Sequence, residues 1–495
     1  MGLFGPAAKK KRGDIVWGTV TIPFDLASYH FMATGSTGSG KSTLLRVLMR
    51  GVLPDVLVKD EGGDPGFDTR ALIFDAKSEI IPDLADLKLR DETLILNPFD
   101  ARCTAWDVGK DIQDEGQAQE LAAVMVPPGE GANKYFYDAS RLMLKTAALA
   151  LMKAKPNEWT LRDLLLLCGN VGELKIIAEK MQLANLDAVE DFLEPTKEAK
   201  SVRMTLAVEN NAFNVIAAAW HRAKTAGRVF SIQDWVAGKG PQILLLGSSK
   251  QSRTALATIN RLLVQRVQQL TLDYQVRSAK TGRRTWIFLD EFPALGAIPH
   301  LEELLTEGRS RGICTVLGFQ HIAHVNRWYG VMADALLGQC LHQAYFRAND
   351  AAVAEWCSRH FGLLISKEED PDKPAHTTQT SNAATVNDFL FLEPATEKTG
   401  YQCILRSSKA VLPSGPALKK VRPQSDLVAV TTQSTDPRNA RFIPWLDKLE
   451  LEPWSVKERL ELGLPEVATS STGTPLPAND NPVLSSLPAS SFWNS

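Results

Sequence analysis

The stretch HFMATGSTGSGKSTLLRVLMR, residues 30–50, decides the fold that we predict for this chain. Its beginning, HFMAT, is typical of a buried strand, and the apolar spacing of LLRVLMR is typical of a helix. Between them, Gly35, Gly40, Lys41 and Ser42 match the pattern G-x-x-x-x-G-K-[ST]. A phosphate-binding loop needs this order of strand, loop and helix, because its backbone N–H groups converge on phosphate at a helix N-terminus. The sequence therefore predicts a P-loop.

The P-loop predicts ATP and Mg²⁺ as cofactors. In this motif the lysine holds the β- and γ-phosphates, and the following hydroxyl residue is a ligand of Mg²⁺. We expect Lys41 and Ser42 to have these roles, and Thr43 to reach the α-phosphate. The residues predicted to bind the nucleotide are Gly35, Ser36, Thr37, Gly38, Ser39, Gly40, Lys41, Ser42 and Thr43.

A pair of carboxylates follows a second apolar run, TWIFLDE at 285–291. The run predicts a buried strand that delivers Asp290 and Glu291 at its carboxyl end. Hydrolysis needs a group that orients Mg²⁺ and a group that takes a proton from the attacking water. We assign the metal to Asp290 together with Ser42, and the general base to Glu291.

Short apolar runs alternate with longer helical runs along the chain, which predicts an α/β fold with a parallel sheet covered by helices. From about 108 to 225 the strand signals vanish and apolar residues recur at helical spacing, so we predict an all-helical insertion there. The polar, Pro-bearing segment 366–388 is predicted to be a mobile loop. The predicted strands are 15–22, 30–34, 71–75, 93–97, 242–247, 285–290, 313–319 and 341–347.

These patterns predict a discontinuous nucleotide-binding domain. The predicted segments are a basic N-terminal arm at 1–13, the first part of the nucleotide-binding domain at 14–107, the all-helical insertion at 108–225, the second part at 226–425, a C-terminal extension at 426–465 and a disordered tail at 466–495.

Composition argues against a strongly basic nucleic-acid-binding protein, a membrane-spanning protein and a protein with disulfides or a cysteine metal site. The chain has 495 residues with a formal net charge of −2, which argues against a protein that holds nucleic acid by bulk positive charge. No run reaches the roughly 18 apolar residues that a membrane helix needs, so we expect a cytoplasmic protein. The six cysteines lack metal-ligand spacing and are predicted to be reduced. They are Cys103, Cys168, Cys314, Cys340, Cys357 and Cys403.

Several further motifs together resemble the type IV secretion coupling proteins of the TraD/TraG type, which are conjugative DNA-transfer ATPases related to FtsK-like and HerA-like DNA pumps. The resemblance covers roughly 14–425, and the run from DEFP through GRSRGI to Gln320 is its most specific part. It implies a RecA-like P-loop NTPase sheet with helices on both faces and an inserted all-α domain. The matching pieces are TGSGKS (37–42), IFDAKSE (73–79), LNPFD (96–100), LDEFPALG (289–296), EGRSRGI (307–313) and Gln320.

The resemblance also implies two catalytic roles. Arg309, in the GRS-type turn, corresponds to a finger that reaches the ATP of the neighbouring subunit and neutralises charge on the γ-phosphate. The alternative is that Arg309 and Arg311 cap a helix end or pair with surface acids. Gln320 corresponds to a sensor that distinguishes ATP from ADP, and the alternative is an ordinary polar residue at a strand end.

In this family the subunits form a hexameric ring whose central channel passes DNA. The resemblance therefore implies DNA, single-stranded in the first instance, a relaxase and type IV secretion channel components as partners. Most members begin with membrane helices that this sequence lacks, so we expect membrane contact only through partners, at the cytoplasmic face of the bacterial inner membrane. The basic and amide positions from Lys250 to Arg266 are candidates for the channel lining.

Three functions stay open at this point. The first is a DNA translocase that feeds a conjugation channel. The second is a receptor that selects protein substrates through the helical insertion and the tail. The third is a soluble HerA/FtsK-like ATPase that acts in plasmid mobilisation or in defence.

Overall fold

The computed structural model describes the stretches 14–18, 20–57, 69–183, 187–194, 196–250, 252–273, 284–368, 377–396, 400–407, 418–421 and 436–465. The predicted basic arm and disordered tail lie outside these residues. The chain forms two compact units. The first comprises Met1–Ala76, Asp86–Leu89 and Arg277–Gln433, and the second comprises Lys77–Ala85, Arg90–Val276 and Ser434–Ser495.

The described strands, in chain order, are β1 (Ile15–Trp17), β2 (Val20–Ile22), β3 (Phe31–Thr34), β4 (Arg70–Phe74), β5 (Thr93–Ile95), β6 (Ala105–Trp106), β7 (Val229–Phe230), β8 (Ile243–Leu246), β9 (Thr285–Leu289), β10 (Ile313–Phe319), β11 (His342–Tyr345), β12 (Leu363–Glu368), β13 (Thr377–Asn382), β14 (Tyr401–Ser407) and β15 (Leu418–Val421).

The described helices are α1 (Lys41–Val52), α2 (Ile80–Asp86), α3 (Val108–Asp111), α4 (Glu115–Met125), α5 (Lys134–Ala154), α6 (Leu161–Gly169), α7 (Val171–Lys180), α8 (Asp187–Leu193), α9 (Lys197–Asn211), α10 (Asn214–Thr225), α11 (Ile232–Val236), α12 (Arg253–Leu272), α13 (Leu301–Thr306), α14 (Ile322–Tyr329), α15 (Ala333–Gly338), α16 (Ala351–Phe361), α17 (Val386–Leu390) and α18 (Val456–Leu462).

In the first unit, strands are hydrogen-bonded in the order β15-β14-β11-β3-β10-β9-β4. The neighbours from β11 to β4 run parallel, and β14 runs antiparallel to both β11 and β15. The last residue of β3, Thr34, pairs with Phe319 of β10, and the last residue of β9, Leu289, pairs with Leu317. Parallel strands end at the same edge of a sheet, so this register brings the ends of β3, β9 and β10 together.

The core of the first unit lies on both faces of these strands. Every residue of β3, β9 and β10 is buried, as the apolar character of their sequences predicts. The ring of Phe31 lies 5.1 Å from that of Trp17 and 5.9 Å from that of Trp286. Helix α1 buries Leu44 and Leu48 completely, and each such side chain contributes about 1.5–3 kcal/mol to folding. The P-loop therefore connects two firmly packed elements.

In the second unit, every regular element described between Val108 and Thr225 is helical, in agreement with the pattern of the sequence. The unit also contains β5, β8 and α12, which we had assigned to the nucleotide-binding domain. The compact units thus group these elements differently, and the domain boundaries given above stay a prediction.

The motif LNPFD has a structural role within the second unit. Arg102 donates two hydrogen bonds to the carboxylate of Asp100, at 2.8 and 2.5 Å, and both side chains are buried. The same guanidinium donates to the carbonyls of Arg438 and Ala440 at 2.7 and 2.8 Å. A buried ion pair is tolerated when further hydrogen bonds satisfy it, and here those bonds fix the C-terminal extension.

Two expectations were wrong, and a third is wrong in part. The predicted strand 15–22 is a hairpin, because Gly18 turns the chain with a φ of 64° between β1 and β2. The predicted loop 366–388 contains strand residues, since the alternating Thr-rich run at Thr377–Asn382 pairs antiparallel with Leu363–Glu368. Of the channel candidates, Asn260 and Gln265 are buried in α12, with 1% and 4% of their surface exposed, so these two do not line a channel. The basic candidates stay a prediction.

Among the described residues, no helix is both long enough and apolar enough to span a membrane. All six cysteines lie in the described part of the chain and are buried thiols, as expected for core residues. Burial raises the pKa of Cys168 to about 12, which keeps that thiol protonated.

Candidate active site at the P-loop

The P-loop is held by backbone contacts on both sides. The N–H of Gly35 donates to the carbonyl of Phe319, at 3.4 Å, and the N–H of Ser36 donates to the carbonyl of Arg347, at 2.9 Å. Gly40 has a φ of 102°, and a Cβ there would collide with the side chain of Tyr401. Only glycine fits this position. The packing of Tyr401 therefore requires Gly40, in addition to the requirement of the loop for phosphate binding.

Helix α1 begins at Lys41, directly after the loop. The first N–H groups of a helix have no partner within it, and they point at the position where the loop would hold phosphate. In the loop, Ser39 is buried whereas Thr37 and Gly38 are exposed. Thr43 is exposed on the first turn of α1. The predicted nucleotide-binding residues are therefore contiguous in the chain, and Thr37, Gly38 and Thr43 are the exposed ones among them.

Lys41 lies between the two carboxylate residues that follow β9. Its Nζ donates to the carbonyl of Asp290 at 2.9 Å and to Oε2 of Glu291 at 3.3 Å. The distance from Nζ to Oδ1 of Asp290 is 3.5 Å, and only 7% of the lysine side chain is exposed. A charge buried to this extent needs such partners. The geometry thus places Lys41, Asp290 and Glu291 in direct contact.

Ser42 and Asp290 fit a magnesium site. The hydroxyl of Ser42 donates to Oδ2 of Asp290 at 2.7 Å. Oδ1 of the same carboxylate is buried and has no hydrogen-bond partner among the described residues. Mg²⁺ usually takes one or two protein oxygens and completes its shell with water and phosphate, so this small donor set suits it.

Gln320 connects the loop to Glu291. Its Nε2 donates to Oε2 of Glu291 at 2.8 Å, and its Oε1 accepts a hydrogen bond from Thr37 at 2.9 Å. The side chain therefore contacts both the phosphate-binding loop and the carboxylate that would activate water. We call Lys41, Ser42, Asp290, Glu291 and Gln320 the strand-end cluster.

Arg309 lies apart from the strand-end cluster. It belongs to a short 3-10 segment, Gly308–Arg311, between α13 and β10, and its side chain is exposed. Its side chain donates to the hydroxyl of Tyr29, and within the described part of the chain it makes no hydrogen bond to the cluster. Of the predicted catalytic residues, the fold brings together Lys41, Glu291 and Gln320, and it leaves Arg309 outside.

Comparison with known proteins decides the family. Residues 14–431 match the family described as the type IV secretion-system coupling protein DNA-binding domain. The chain belongs to the type IV secretion-system coupling proteins.

This coupling protein is 28% identical over 359 residues to the coupling protein TraD of Escherichia coli (strain K12). The match covers 71% of this chain and 46% of TraD, so the chain spans about half the length of that curated relative. The family assignment made from the motifs is thereby confirmed.

Solved structures of the conjugative coupling protein TrwB share the fold. The unbound monoclinic form has a TM-score of 0.61 at 21% identity and covers 88% of this chain and 92% of its own. TrwB in complex with ADP and Mg²⁺ has a TM-score of 0.61 at 20% identity and covers 88% of this chain and 94% of its own. The predicted fold class, a RecA-like P-loop sheet flanked by helices, is confirmed.

The structure of this coupling protein also identifies residues that sequence reasoning missed. Gly318 of β10 faces Asp290, and a Cβ there would collide with the Asp290 carbonyl oxygen. A glycine inside an apolar strand indicates such a close backbone approach, and that signal was present in the sequence.

His30 is the second missed residue. Its φ of 61° and ψ of 159° lie in a region that favours glycine and that costs other residues about 1–3 kcal/mol. The side chain is 1% exposed, and burial lowers the pKa of His30 to about 4. The imidazole is therefore neutral at physiological pH. A strained, buried histidine beside the P-loop strand indicates a constraint that the surrounding fold imposes.

Proposed function

We propose that this coupling protein hydrolyses ATP at the P-loop and uses the free energy to move DNA toward a type IV secretion channel. The DNA is single-stranded and joined to a relaxase, and the working assembly is a homo-hexamer at the cytoplasmic face of the bacterial inner membrane.

The observation that carries the proposal is the direct contact among the members of the strand-end cluster. Ser42 and Asp290 would hold Mg²⁺, which neutralises charge on the phosphates when bound. Glu291 accepts a proton from the attacking water, and Gln320 lies against both that carboxylate and Thr37. A phosphate cradle without these groups would bind nucleotide without hydrolysing it. The family description and the ADP and Mg²⁺ complex of TrwB support the same assignment.

The position of Arg309 supports hydrolysis that depends on assembly. An arginine that neutralises the γ-phosphate has to lie within hydrogen-bonding distance of it. Arg309 contacts Tyr29 outside the cluster of its own chain, which supports its action on a neighbouring subunit. Hydrolysis then occurs only where one subunit's P-loop meets another subunit's arginine.

The first experiment measures ATP hydrolysis with and without single-stranded DNA, over a range of protein concentrations, together with particle size. We expect a severalfold rise with DNA and a rise of the specific rate with concentration, since assembly completes the site. For comparison, the rate of hydrolysis is also measured with duplex DNA of equal length and with heparin. A specific rate that neither DNA nor concentration changes would contradict the DNA-motor function.

The second experiment mixes two inactive variants, Lys41→Ala and Arg309→Ala. If Arg309 acts in trans, the mixture regains activity, because about one quarter of randomly formed interfaces combine an intact P-loop with an intact arginine. Arg311→Ala is the control, because it changes the other arginine of the segment Gly308–Arg311, which we call the arginine turn. A mixture that assembles and stays inactive would leave Arg309 with a structural role.

A further inference from the structure

The dipeptide Tyr29–His30 precedes β3 and lies against the arginine turn. Residues Phe24–Tyr29 form a 3-10 segment that packs against the 3-10 segment Gly308–Arg311. The strand that ends at the P-loop therefore begins beside Arg309. This connection is not apparent from the spacing of the motifs.

His30 fixes the chain on both sides of the arginine turn. Its Nε2 donates to the carbonyl of Leu305, at 2.8 Å, and its Nδ1 accepts from the N–H of Thr315, at 3.1 Å. Leu305 lies in α13, before the turn, and Thr315 lies in β10, after it. Both bonds require a neutral ring with its proton on Nε2, and the lowered pKa of His30 is consistent with that form. The backbone strain at His30 is retained because these contacts hold it.

Tyr29 contacts the guanidinium itself. The Cζ of Arg309 lies 3.4 Å from the centre of the tyrosine ring, and Nη2 donates to the tyrosine hydroxyl. An exposed arginine otherwise samples many rotamers, and ordering it at the moment of reaction would raise the barrier. The guanidinium thus lies against the ring, while Nε and Nη1 have no side-chain partner among the described residues.

We propose that Tyr29 is a positioning residue that orients Arg309 for the nucleotide of the neighbouring subunit, with His30 anchoring Tyr29 to the strand that carries the P-loop. The inference rests on the proposed trans action of Arg309. Tyr29 acts only through the arginine of its own chain, so its substitution matters only in a subunit that supplies the finger.

The experiment places Tyr29→Ala on one or the other chain of the Lys41→Ala and Arg309→Ala mixture. On the Lys41→Ala chain, which supplies the arginine, we expect the rescued activity to fall about fivefold, the size of an ordinary cation–π contact. On the Arg309→Ala chain, which supplies only the P-loop, we expect no loss. With Tyr29→Phe, which keeps the ring, the rescued activity should lie between the values for wild-type Tyr29 and for Tyr29→Ala. Tyr135→Ala, at a tyrosine that is 54% exposed, is the matched control.

An equal loss on both chains would show that Tyr29 supports the fold instead of the arginine, and a loss confined to the Arg309→Ala chain would show that it acts on the P-loop. Either result, or no loss on either chain, overturns the inference while leaving the proposed function intact. Melting temperatures and particle sizes of each variant identify a loss of folding. A parent mixture that shows no rescue overturns the trans action and the inference together, so the two failures are distinguishable.

Discussion

Glu291→Gln is expected to bind ATP and to hydrolyse it about 10²–10⁴-fold more slowly than the wild type, the range typical of a lost general base. The glutamine has the same length and can still accept the hydrogen bond that Gln320 donates to Oε2. Lys41 keeps its bond to the carbonyl of Asp290. Proton acceptance from water is therefore the property removed, and the phosphate cradle remains.

The measurements are steady-state hydrolysis and equilibrium binding of a fluorescent ATP analogue. Glu302→Gln removes an exposed carboxylate from the same unit and is expected to leave both unchanged. A Glu291→Gln protein that hydrolyses ATP within a factor of about three of the wild-type rate would assign the base to another group.

Lys41→Ala is expected to lose nucleotide binding as well as hydrolysis. Truncating one partner of a buried, hydrogen-bonded charge pair costs about 2–5 kcal/mol, or roughly 30- to 5,000-fold in affinity. We expect the loss of affinity for Lys41→Ala to lie at the upper end of this range, because Asp290 and Glu291 would then face the phosphates without the intervening cation. The two variants thus separate binding from chemistry.

Binding of the same analogue and the melting temperature in saturating ATP provide the test for Lys41→Ala. Lys134→Ala, at a lysine whose side chain is 72% exposed, is the control for loss of a positive charge. An affinity close to that of the wild type would mean that the backbone N–H groups of the loop hold the phosphates unaided.

Much of the structure could be predicted because it depends on residues that are close together in the sequence. The P-loop lies between one strand and one helix within about twenty residues, and the apolar runs at β9 and β10 are long enough to be recognised as buried strands. The domain boundaries were harder, because compact units depend on packing between distant segments. The hairpin formed by β12 and β13 was missed because its Thr-rich strand has the polarity of a loop.

The sequence by itself determined the loop, the helix that follows it, the carboxylates at the end of β9 and the family. Only the tertiary structure decided which of these groups touch. Lys41 and Glu291 are 250 residues apart and Thr37 and Gln320 are 283 apart, so their contacts depend on the register of β3, β9 and β10. The same register separates Arg309 from the cluster and places it on Tyr29. Local propensity acts over a few residues, whereas strand register in a parallel sheet is set by the packing of the whole unit.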